Sequence, residues 1–166
     1  NDAGIRILLV GESHYVKEPW KEITSKSLLN DWWSETPPQI YDICWYNTRG
    51  TIHNFMSGKS EGAYALFREP CKIYNQWQDI YNIFDSFAYM NYFQMPALYE
   101  RISLWNSLLK FNNETDKNHP LSLDIWNKTE KLSNDIFVSV LEILNPDKIV
   151  FLSTEAYNAF KRQNKI

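Results

Sequence analysis

The order of apolar runs along the chain predicts an α/β fold of three layers, with helices on both faces of a short, mostly parallel central sheet. Three observations carry this. Ile5-Arg6-Ile7-Leu8-Leu9-Val10 and Lys148-Ile149-Val150-Phe151-Leu152 are short apolar runs of the kind that strands buried on both faces show. Between them, Asp85-Ser86-Phe87-Ala88-Tyr89-Met90-Asn91 is aromatic-rich without helical spacing, which predicts another strand. Helical stretches separate all three, and parallel strands need such crossovers.

The first run ends at Gly11 and reads as the central strand. A helix is expected from Pro19 to Asn30, broken by the prolines at 37 and 38 and followed by a second helical stretch. The segment from Tyr46 to Ser60, with Gly50 and Gly58, reads as a loop or short irregular helix that includes His53, and Glu61 to Phe67 reads as helix. After Pro96, apolar residues at Leu98, Ile102, Trp105, Leu108 and Leu109 predict an amphipathic helix, followed by a polar loop from Asn112 to His119. The clearest helix runs from about Ser122 to Leu144, with Ile125, Leu132, Ile136, Val140 and Ile143 on one face and Asn145-Pro146 closing it. Ser153-Thr154-Glu155 then supplies capping hydroxyls and a first-turn acid for a last helix through Lys161.

Composition sets the outer bounds. A chain of 166 residues, 44% hydrophobic and 16% aromatic, is expected to form one domain spanning 1–166 with a core of its own. Cys44 and Cys71 have no CxxC spacing, so neither a disulfide framework nor a thiolate metal cluster is expected, and reduced cytoplasmic thiols are. There is no long apolar run and no signal-peptide pattern at the start given, so no membrane partner, no cofactor and a monomer are the expectation. A net charge of −3 offers no global attraction to a phosphate backbone, although a local groove can still be basic.

In open parallel sheets ligands bind beyond the carboxyl ends of the strands, which singles out Gly11 to Tyr15, Asn91 to Gln94, and Ser153 to Glu155. Gly11-Glu12-Ser13-His14-Tyr15 is the densest of these: a carboxylate, a hydroxyl, an imidazole and a phenol follow a glycine that permits a tight exit. Asn91 ends a strand and presents an amide with both donor and acceptor, suited to the edge of a base. The structural alternative is that Glu12 and Ser13 cap a turn and Asn91 forms one. His53 and His119 have no ligand-spaced partners, so no metal site is expected.

Taken in order, these segments resemble the uracil-DNA glycosylase superfamily. Gly11-Glu12-Ser13-His14-Tyr15 is similar to its first motif, and Phe87-Ala88-Tyr89-Met90-Asn91 to its strand ending in Asn. Leu141 to Tyr157 is similar to its helix, proline, strand and following helix. The resemblance implies a DNA-repair hydrolase that extrudes a base and cleaves its glycosidic bond, or a relative that binds a base or nucleotide without chemistry. Carried over by motif, Glu12, Ser13 and His14 are the catalytic candidates, while Gly11, Tyr15 and Asn91 contact the base. The partner it implies is DNA or a free nucleobase. Ser13 stands where the family has Asp or Asn, His14 where it has Pro, and Ser153 where it often has Gly. The family's last strand and its His-bearing loop have no counterpart before Ile166, since His119-Pro120-Leu121-Ser122 precedes the third strand. The alternative is a serine hydrolase with Ser13 as nucleophile, but no Asp-x-x-His follows residue 119.

Overall fold

A computed structural model describes residues 5–14, 52–53, 57, 67, 69–70, 87–97, 102–115 and 123–166. Strand β1 (Ile7–Gly11) lies between β2 (Phe87–Asn91) and β3 (Lys148–Phe151) in a three-stranded parallel sheet. Ile7 pairs with Phe87 on one side and Lys148 on the other, and Gly11 with Asn91. Helix α1 (Leu104–Thr115) and the long α2 (Leu123–Leu144) separate β2 from β3, and α3 (Thr154–Asn164) follows. The fold is therefore α/β with a small parallel sheet. At its amino edge Arg6 N–H and Nε both donate to Asp147 Oδ2, at 2.8 and 3.3 Å, holding the Asp147 carboxyl below its ordinary pKa.

The apolar residues of β1 alternate between two cores, as the two-residue period of a strand requires. Leu8 and Val10 join Tyr92, Phe93, Leu104, Leu108, Trp126, Phe137, Ala156 and Ala159, so all three helices pack on that face. Ile7 and Leu9 join Phe87 on the other, beside Tyr89 and Leu152. There the ring of Phe67 meets Tyr89 edge-on at 5.0 Å. The expected helices of residues 19–30 and after 38 lie outside the described residues, as does most of 61–67.

Three expectations change. Helix α1 begins at Leu104, after Ile102, and continues through Asn112 to Thr115, where the sequence suggests a loop. Ser103 sets its start, its Oγ accepting from Asn106 N–H at 3.3 Å and its carbonyl from Ser107 N–H at 2.8 Å. Of the two forms expected for the segment around His53, the helical one is found: His53 belongs to a helical turn, its carbonyl accepting from Ser57 N–H at 2.9 Å. Helix α2 buries Trp126, Thr129, Glu130, Ser133 and Phe137 most fully; of the expected stripe, Ile125 and Val140 pack half-buried against the core, whereas Ile136 and Ile143 are exposed. Strand β3 is not covered on both faces: Ile149 is 37% and Val150 40% exposed, because β3 is the outer strand of the described sheet. The cap of α3 is as expected, with Ser153 Oγ accepting from Ala156 N–H at 3.2 Å.

The polar side of α2 is matched by α3. Glu130, 4% exposed, accepts from Arg162 through Nε at 3.1 Å and through Nη2, and from Gln163 Nε2 at 3.2 Å. Asn134 Oδ1 accepts from Tyr92 Oη at 3.2 Å and Asn164 Nδ2 at 2.8 Å. Burial, with Glu130 adding to it, pushes the Tyr92 phenol well above its ordinary pKa.

Candidate functional site

The loop after β1 is fixed against the segment after β2 by its backbone. Tyr92 N–H donates to Gly11 O at 3.0 Å, Phe93 N–H to Glu12 O at 2.8 Å and Ala97 N–H to His14 O at 2.7 Å. Gly11, Glu12, Ser13, His14 and Asn91 thus share one carboxyl edge. Tyr15 lies outside the described residues.

Strand alternation divides these residues between the two faces of the sheet. A Cβ added to Gly11 would collide with the Tyr89 hydroxyl and lie 2.6 Å from Asn91 Oδ1. Glycine is therefore required for Tyr89 and Asn91 to close over the β1 backbone. Tyr89 Oη donates to Asn91 Oδ1 at 2.7 Å, and Gln94 Nε2 donates to the Asn91 carbonyl at 2.7 Å. Asn91 is 5% exposed and its carboxamide is oriented by Tyr89. Tyr89 is the functional candidate that residue-by-residue reading misses. The available signal is its position two residues before Asn91, on the same face of β2.

Glu12 turns the other way, toward the helices. Its Oε1 accepts from Leu104 N–H, the first of α1, at 2.6 Å, and its Oε2 accepts from Ser153 Oγ at 3.0 Å. Ser153 caps α3, so one carboxylate joins the positive ends of two helices. Ser13 Oγ is buried and has no hydrogen-bond partner among the described residues. Among the described residues no group of three or more His, Cys, Asp or Glu side chains is placed to hold a metal ion, and no helix is long and apolar enough to cross a membrane.

Burial lowers the pKa of His14 from its ordinary 6.5. The unfolded chain then binds a proton at a pH where the folded chain still resists it, so His14 is expected to cost stability as pH falls from 6.5. An NMR titration of its ring should give a midpoint below 6.5, and His14→Gln should flatten the loss of stability toward acid. A midpoint at or above 6.5 would contradict this placement. No family model, no curated protein and no solved structure matches the chain.

Proposed function

We propose that the chain is a divergent uracil-DNA glycosylase-like protein of the cytoplasm that binds a nucleobase, free or on a nucleotide or DNA strand, without excising it. One observation carries the reading: the Asn91 carboxamide, held by the Tyr89 hydroxyl over Gly11 at the carboxyl edge of the sheet. With Oδ1 engaged by Tyr89, the Nδ2 amide is the group a ring carbonyl would meet. The fixed loop pair lowers the entropy lost on binding. Glu12 supports binding without chemistry, because both its oxygens serve helix starts on the opposite face. A carboxylate so engaged gives no support to a cationic sugar in the transition state. That Ser13 Oγ meets no base among the described residues favours binding over a serine hydrolase, whose nucleophile leans on one.

Titration calorimetry with uracil and uridine tests this. Asn91→Ala is expected to weaken binding by about 1–3 kcal/mol, roughly five- to 150-fold in Kd. Unchanged affinity would remove Asn91 from the site, and the absence of binding by wild type would remove the reading. Uracil-containing oligonucleotides, incubated with the protein and then treated with alkali, should stay intact. Cleavage that a folded Glu12→Gln variant abolishes would establish excision, and labelling of Ser13 by a fluorophosphonate would establish the hydrolase.

A further inference from the structure

Helix α2 carries two apolar stripes; the core takes one whole and touches the other only at Ile125. The other comprises Ile125, Leu132, Ile136 and Ile143, at intervals of seven, four and seven residues. At 3.6 residues per turn the four fall within about 40° of one another. Ile143 is 80% and Ile136 37% exposed, with Ile125 and Leu132 half-buried. A helix apolar on two sides fits cover on two sides, and an exposed apolar patch marks an interaction surface.

The pattern itself names the occupant. Its intervals read the same from either end, with the midpoint at Asn134. We infer that α2 pairs antiparallel with the α2 of a second copy about a two-fold axis on the stripe side at the level of Asn134, in place of the monomer the sequence suggests. Ile125 then meets the partner's Ile143, and Leu132 meets the partner's Ile136. Such an isologous contact requires a surface complementary to itself.

The charges satisfy that requirement. Lys128 and Lys131 lie in the amino half of α2, Asp135 and Glu142 in its carboxyl half, and all four sit on one flank of the stripe. At 1.5 Å rise per residue, the antiparallel two-fold sets Lys128 about 3 Å along the axis from the partner's Glu142, and Lys131 about 3 Å from the partner's Asp135. Lys131 and Asp135 already pair within the helix at 2.8 Å, exposed, and can exchange across the axis. A parallel two-fold would carry this flank to the opposite side of the contact on the partner, so its lysines and acids would not meet. The sign pattern therefore selects the antiparallel arrangement.

Sedimentation equilibrium of the whole chain over about a hundredfold concentration range decides it. The expected result is a reversible monomer–dimer equilibrium. Ile143→Glu, at a side chain outside the core, should weaken it at least about tenfold without changing the circular dichroism spectrum. Lys128→Glu should also weaken it, and the double variant Lys128→Glu, Glu142→Lys should recover wild-type association. A monomer throughout the range, a dimer indifferent to Ile143→Glu, or a double variant no better than the single would each overturn the inference. None of these outcomes depends on base binding.

Discussion

Replacing Arg162 with leucine is expected to destabilise the chain by about 3 kcal/mol, the lower end of what stranding a buried charge costs. The partner it leaves behind is Glu130, 4% exposed beneath α3, which accepts from both Nε and Nη2 of the guanidinium. Gln163 donates to the other carboxylate oxygen and cannot neutralise it. Arg162 itself is about half exposed, so water reaching the gap holds the loss to the low end of the range. Urea denaturation reads the effect directly. The double variant Glu130→Met, Arg162→Leu should recover most of the stability, because an apolar pair of similar volume carries no desolvation cost. A loss below about 1 kcal/mol for Arg162→Leu would mean that the ion pair contributes nothing beyond a surface contact.

Glu12→Ala should cost about 2–3 kcal/mol, the range for hydrogen bonds to a charged acceptor, and lower Tm by roughly 4–10 °C. The substitution leaves the first N–H of α1 without its acceptor and Ser153 Oγ without the group that receives its proton. Glu12→Gln keeps an oxygen for one of these donors and should lose about half as much. This outcome separates two roles for the same residue. A carboxylate held for chemistry is stability-neutral when removed, whereas one that joins two helix starts is not. A loss under about 0.5 kcal/mol would return Glu12 to the catalytic candidates.

Strand β1 was legible because a strand buried on both faces shows as an unbroken apolar run, β2 and β3 as short β-rich runs between helices, and the cap of α3 because Ser153 followed by Glu155 is a local signal. The buried face of α2 was not. Its members include Thr129, Glu130 and Ser133, and a hydrophobic pattern counts these as solvent-facing. The burial of Glu130 becomes possible only through Arg162 and Gln163, on another helix far along the chain. Ile125, Leu132, Ile136 and Ile143 form the more regular stripe, so periodicity pointed there instead. Within the site, nearness in sequence concealed a division. Gly11 and Glu12 are neighbours, yet consecutive residues at a strand end address opposite faces, and which face a helix start occupies is a tertiary fact. Asn91 was visible as the end of a strand, but the tyrosine that orients it needed the Gly11–Asn91 register to be noticed.

The position of β1 between its neighbours also sets an order of events. Its two pairing partners begin at Phe87 and at Lys148, so the middle of the sheet cannot close until the chain has been made almost to its far strand. Until Phe87 has been made Ile7, Leu8, Leu9 and Val10 have no parallel partner among the described strands, and the side facing β3 waits for Lys148, whereas α2, β3 and α3, contiguous in sequence, can assemble from local contacts. Such long-range pairing makes for slow folding, since loop entropy is lost before any contact repays it. During synthesis this apolar stretch is one that a chaperone has reason to hold until both neighbours are in place.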